Sequence, residues 1–214
     1  MRAVPAALAA LLLVAAGACA APAGPLPAAG GPVRSVFLTA TLTRTPTALS
    51  WDYVLRNDEP TELAVFNGDP ADDNPLAESP SPQAWVVPRD GTTVEVAQRL
   101  FAAPPTGGPH RSYLQYGTVL PPGATLSGRV TVPYPLTLTH PYGTAFDPPL
   151  RLPDVRERVV FCIGVARPAD VPAAARPSGG PADPSAVPGA RTQVYAHGAD
   201  VPQHLVCAPP ERLP

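Results

Sequence analysis

Between Ser35 and Thr43, Val36, Leu38, Ala40 and Leu42 alternate with Phe37, Thr39, Thr41 and Thr43. A period of two over nine positions predicts a half-buried β-strand. The alternation returns from Leu49 to Leu55, with Leu49, Trp51, Tyr53 and Leu55 on one face and Ser50, Asp52, Val54 and Arg56 on the other. After the turn Asn57-Asp58-Glu59-Pro60 a third strand runs from Glu62 to Phe66, close enough for an antiparallel hairpin with the second. A polar, proline-broken loop follows from Asn67 to Pro82. Ala84 to Val87 and Val94 to Ala97 then flank Arg89-Asp90-Gly91-Thr92, and Asp-Gly between apolar segments is a strong hairpin signal. Tyr113 to Leu120 and Thr125 to Val132 flank Pro121-Pro122-Gly123, where proline presets φ and glycine closes the turn. Arg158 to Ala166, Thr192 to Tyr195 and His204 to Cys207 complete the set.

Past the first nineteen residues no segment has a helical period. Eight to ten short strands joined by turn signals predict an all-β fold, an antiparallel β-sandwich, with a partly open barrel as the alternative. Residues 168–190 carry prolines at 168, 172, 177, 181, 184 and 188 among alanine, glycine and serine, and are expected to form a disordered insertion.

Composition narrows the function classes. The chain has 214 residues, 45% of them apolar and 15% charged, enough for one core, with 33 prolines for flexible additions. A net charge of −2, with arginine as the sole basic side chain besides histidine, gives no electrostatic case for nucleic acid.

Met1-Arg2, an apolar run from Ala6 to Ala16 and the small residues Gly17-Ala18 read as a secretory signal over residues 1–18. The run is shorter than the roughly 20 apolar residues that a spanning helix needs. Ala16-Gly17-Ala18-Cys19 resembles a bacterial lipobox. The resemblance implies diacylation of Cys19 and a membrane anchor, with residues 20–32 as a proline-alanine tether. Ordinary cleavage after Ala18 or Ala20, giving a secreted soluble protein, is the rival reading. Assigning Cys19 to the anchor leaves Cys162 and Cys207 as an even pair in an oxidising compartment. The folded domain is then expected over residues 33–208, with 209–214 as a tail.

The Asn57 turn, the Asp90-Gly91 hairpin and Leu120-Pro121-Pro122-Gly123-Ala124 together resemble the immunoglobulin-like domains of bacterial envelope proteins. From about Val36 to Val132 the pattern is also similar to the bacterial intracellular-proteinase-inhibitor family, whose strands are joined by an Asn-containing turn and a late Pro-Gly turn. The resemblance implies an immunoglobulin-like sandwich and carries no functional residue over.

Candidate chemistry is sparse. Cys162 and Cys207 lie in strands that a hairpin could bring together, and a disulfide closing about 46 residues is worth about 4 kcal/mol in the chain-entropy model. A zinc site built from Cys162, His197, His204 and Cys207 lacks a compact ligand pair. A copper site would want a methionine, and the sole one is Met1. Asp69, Asp72, Asp73 and Asn74 could offer oxygens to calcium, but their spacing is not that of an EF-hand. Ser127 lacks the glycine that a nucleophile elbow needs. Tyr113, Tyr116, Tyr134 and Tyr142 flank proline-rich segments and could line a binding surface.

The expectation is therefore a monomeric, non-catalytic envelope lipoprotein without a cofactor, partnered by the membrane and by an envelope protein. The alternative is a secreted metal carrier or hydrolase using His110, His140, His197 or His204, for which converging histidines would speak. A flat aromatic surface would speak for binding.

Overall fold

The computed structural model describes residues 33–68, 83–104, 113–176, 183–184 and 187–213. Cys19, the signal and tether, the Asp69 to Asn74 acidic group and His110 lie outside the described residues. In chain order the strands are β1 (Val36–Arg44), β2 (Ala48–Asn57), β3 (Leu63–Val65), β4 (Trp85–Pro88), β5 (Thr93–Gln98) and β6 (Leu114–Leu120). They continue as β7 (Thr125–Pro133), β8 (Arg158–Ala166), β9 (Asp183–Pro184), β10 (Arg191–Ala196), β11 (His204–Cys207) and β12 (Glu211–Arg212).

Two sheets pack face to face. The smaller has the order β1-β2-β7, and the larger runs β4-β5-β8-β3-β6-β10-β9, with β11 and β12 also paired to β8. The alternation in β2 does what its period requires: Leu49, Trp51, Tyr53 and Leu55 are buried, while Asp52, Val54 and Arg56 are exposed. Between the sheets the rings of Trp51 and Tyr53 meet Phe161 of β8 at 5.8 and 5.4 Å. Burying each such side chain contributes about 1.5–3 kcal/mol.

β8 is buried on both faces, which is why Val159-Val160-Phe161-Cys162-Ile163 reads as a continuous apolar run rather than an alternation. Val165 pairs with Val65 of β3 and with His204 of β11, and Ile163 pairs with Gln98 of β5 and with Val206 of β11. A strand residue has one neighbour on each side, so β5 and β3 share one edge of β8 and β11 occupies the other.

Four expectations are corrected. β2 and β3 do not form a hairpin: β2 pairs with β1 and β7, whereas β3 pairs with β6 and β8 in the other sheet. Nor is the sandwich wholly antiparallel, because β5 runs parallel to β8 from Thr93↔Arg158 to Gln98↔Ile163. The first part of the proline-rich insertion is packed: Pro168–Asp170 and Ala173–Ala175 form 3-10 turns that bury Val171 and Ala175. The tail joins the sheet, with Glu211 opposite Val159 and Arg212 opposite Arg158.

Among the described strands the chain changes sheet three times, at β2–β3, β6–β7 and β7–β8, and the first two crossings meet at Asn57. The buried Asn57 carboxamide donates from Nδ2 to the carbonyls of Thr61, Leu120 and Pro121, each at 3.0 Å, and its Oδ1 accepts the Glu59 N–H at 3.0 Å. Its backbone accepts the Gly123 N–H at 2.7 Å and donates to Ala124 at 3.0 Å. Gly123 has φ 72°, a left-handed conformation that glycine enters without steric cost. One side chain thus serves both the β2–β3 and the β6–β7 crossings. Glu59 then ties the start of the domain by accepting the Arg34 and Ser35 N–H groups, both at 2.8 Å.

Asn57→Ala is expected to destabilise the protein by about 3 kcal/mol, since buried carbonyls lose their donor. Asn57→Asp should cost more, because it sets a carboxylate oxygen against three carbonyls. Urea melts of the two variants check the order; a stability equal to wild type in Asn57→Ala would refute the role.

Candidate functional site

Along the larger sheet, successive residues divide between its two faces. Val86, Val94, Val96, Phe161 and Ile163 enter the core between the sheets, while Trp85, Val87 and Ala97 point the other way. That outer face is covered by loops rather than by a third layer. Trp85, Val87, Ala97, Phe101 and Tyr142 form one buried group, with Tyr113 and Phe146 against it. Phe66, Leu100, Tyr195, Val171, Ala175 and Val201 belong to another.

Two of the four histidines enter the first group. His197, 2% exposed, lies 5.7 Å from the Trp85 ring and stacks on Phe101 at 6.1 Å. His140 sits edge-on to Phe101 at 4.4 Å and to Phe146 at 5.4 Å. Each ring is oriented by a backbone amide: the Phe101 N–H donates to His197 Nδ1 at 3.1 Å, and the Tyr142 N–H donates to His140 Nδ1 at 2.9 Å. A neutral imidazole whose Nδ1 accepts must carry its proton on Nε2. Both rings therefore present an N–H, not a lone pair, beyond the backbone. His197 Nε2 is buried with no hydrogen-bond partner among the described residues.

Burial pushes His197 down to about 3, helped by His140 and the Arg99 guanidinium, and pushes His140 down to about 4, again with help from Arg99. Arg99 itself lies over the Phe101 ring at 4.1 Å. It leads from the aromatic group to a second feature of the outer face. Glu95, almost fully buried, accepts Arg99 Nε at 3.0 Å on one oxygen and Arg89 Nη1 at 3.2 Å on the other. The same Arg89 Nη1 lies 3.1 Å from Cys162 Sγ and 3.4 Å from Cys207 Sγ. Those two cysteines are disulfide-bonded, opposite one another on β8 and β11 with Cα atoms 4.1 Å apart.

The other candidates fall apart in space. His204 is exposed at the start of β11, and among the described residues no group of three or more His, Cys, Asp or Glu side chains could hold a metal ion. The zinc grouping is thus not assembled, because its cysteines are bonded to each other and His197 is turned into the aromatic group. Ser127 sits on β7 opposite Val54, beside Gly128, whose missing side chain leaves room for the Tyr53 ring. Of the four tyrosines, Tyr113 and Tyr142 join the histidine group at 5.7 Å from each other, whereas Tyr116 is exposed. Sequence reasoning missed Trp85, Phe101, Arg89, Glu95 and Arg99. One signal was there to find: Glu95 stands between Val94 and Val96 in a strand, a place where a carboxylate needs partners. No protein-family model, curated protein or solved structure matches the chain.

The histidines make stability depend on pH. Their folded-state values lie below the ordinary 6.5, so the unfolded chain takes up protons first as pH falls. Their contribution is complete above about 6.5 and is lost as pH falls toward 4 and 3. Glu59 and Asp90, held low by the backbone N–H groups of Arg34 and Thr92 respectively, act only further into the acid range. The melting temperature is expected to fall between pH 7 and 5, and to fall less steeply in His140→Phe. A flat wild-type profile over that interval would contradict the neutral pair.

Proposed function

We propose that the chain is an envelope lipoprotein, anchored to a membrane through Cys19 and facing the periplasm or exterior, whose sandwich is a non-catalytic module that binds another envelope protein. The observation that carries the binding reading is the outer face of the β1-β2-β7 sheet. There Phe37 is 54% exposed and Val54 is 43% exposed. Phe37 stands opposite Arg56 and Thr39 opposite Val54, so the two apolar side chains are diagonal neighbours on one flat face. Arg56 lies over the Phe37 ring at 5.4 Å, and Thr41, Ser50 and Thr131 extend the same face. An aromatic and a valine exposed together, bordered by Arg56, the Asp52–Arg129 ion pair and small hydroxyl side chains, have the character of a contact patch.

The donor state of the histidines supports a module that does no chemistry. A metal carrier or hydrolase working through His140 or His197 would need a ring lone pair at Nε2, where the accepting Nδ1 of each ring puts the proton, whereas His204 is exposed on β11 and His110 lies outside the described residues. The anchor rests on the lipobox of the sequence. Among the described residues no helix is long and apolar enough to cross a membrane.

Two experiments test the two halves. Expressed as the full chain in a bacterial host, Cys19→Ser should move the protein from the membrane pellet to the soluble fraction and abolish palmitate labelling; unchanged partition defeats the anchor. The double variant Phe37→Ser with Val54→Ser should melt close to wild type, since both side chains are exposed. It should also lose the envelope proteins that cross-link to wild type, and an unaltered cross-linking pattern would reject this face.

A further inference from the structure

The disulfide has an unusual neighbour. Arg89 places one guanidinium nitrogen against both sulfurs, at 3.1 Å from Cys162 and 3.4 Å from Cys207. Arg89 shares the Glu95 carboxylate with Arg99 and also acts on the neighbouring Asp90. The same guanidinium nitrogen is left within hydrogen-bond reach of the sulfurs, so a thiolate formed there would accept a charge-assisted hydrogen bond from it.

The two sulfurs also differ in access. Cys162 is fully buried in the middle of β8, while Cys207, on β11, is partly exposed. An incoming thiolate therefore reaches Cys207 first. We propose that Cys162–Cys207 is a thiol-exchange site, opened by a dithiol reductant that attacks Cys207, with Cys162 leaving as a thiolate against Arg89.

The exchange balances in two steps. The reductant's first thiolate forms a bond to Cys207 Sγ as the Cys162–Cys207 bond breaks, and the electron pair passes to Cys162 Sγ. The reductant's second thiol gives up its proton and attacks its own sulfur in the mixed disulfide. Cys207 is then released as a thiolate that takes up a proton, and the reductant departs as an internal disulfide. Two electrons reduce the protein's disulfide, and the dithiol is oxidised. A leaving thiol of lower pKa departs faster, so Arg89 assists the bond-breaking step by stabilising Cys162 as its charge develops. Opening the bond removes the covalent tie between β11 and β8 and leaves their hydrogen-bonded pairing in place, so the site would loosen the end of the chain without dismantling the sheet.

The test measures reduction of the full chain by dithiothreitol at fixed pH. Arg89→Ala is expected to slow reduction about threefold or more, and Arg89→Lys, which keeps the charge but loses the planar fork, to fall between. Thermal melts of the oxidised variants confirm that they are folded. Two further readings separate chemistry from packing. In the reduced protein, the pH at which Cys162 is half-maximally reactive to iodoacetamide should lie below the ordinary value of about 8.5 and rise in Arg89→Ala. With limiting glutathione and an acid quench, peptide mapping should place the mixed disulfide on Cys207. Equal reduction rates in wild type and Arg89→Ala, an unshifted Cys162 reactivity, or an adduct on Cys162 would each overturn the proposal.

Discussion

The sandwich depends on one carboxamide. A chain that moves between two sheets must turn through the space between them, and each turn leaves backbone groups that the ladders no longer satisfy. Here two of the three crossings, β2–β3 and β6–β7, are brought to the same place, and Asn57 supplies the donors and the acceptor that they need. Its position at the end of β2 decides where the chain leaves the small sheet. Its bonds to Leu120 and Pro121 decide where β6 ends and the chain returns as β7. With those two crossings pinned, Trp51 and Tyr53 of the small sheet come to lie over Phe161 of the large one.

The outer face of the larger sheet follows from a different constraint. A central strand such as β8 is apolar on both sides, and a second side of that kind has to be covered. Loops do the covering, and loops bring backbone amides with them. Two of those amides donate to Nδ1 of the histidine rings and orient them, while burial under the loops, with Arg99 nearby, keeps the rings neutral. The same cover brings Arg99 over Phe101 and so links the aromatic group to Glu95, Arg89 and the disulfide.

Much of this was legible in the sequence, and the remainder was not for reasons that can be named. Period-two alternation located β1, β2 and the buried row Leu49, Trp51, Tyr53 and Leu55, because a strand half-exposed to water must alternate, and the Pro121-Pro122-Gly123 turn located β6 and β7. Alternation reports which face a residue occupies and says nothing of which strand lies beside it. The short loop at Asn57 therefore suggested a hairpin where the chain in fact crosses between sheets, and the parallel pairing of β5 with β8 left no trace in either segment. Glu211–Arg212 is too short to carry a period. Parity of the cysteines pointed to Cys162 and Cys207, while nothing in the spacing of Arg89, Glu95 and Arg99 announced that they converge on that pair. The meeting of His140 with His197 was equally hidden, since 57 positions separate them and Phe101 and Arg99, which bring them into one environment, come from a third part of the chain.

Because β8 takes β5 and β3 along one edge and β11 along the other, its neighbours are drawn from both extremes of the domain. Val206, which helps to close the core, stands 173 residues after Val33, its first member. Such long-range pairing is slow to form, because the entropy of closing a long loop comes before the contacts that reward it. The strands from β1 to β8 are made before β11 exists, so one edge of the central strand stays open until residues 204–207 have been added. In that interval the open edge is a template for a foreign strand, a hazard that β11 removes when it pairs.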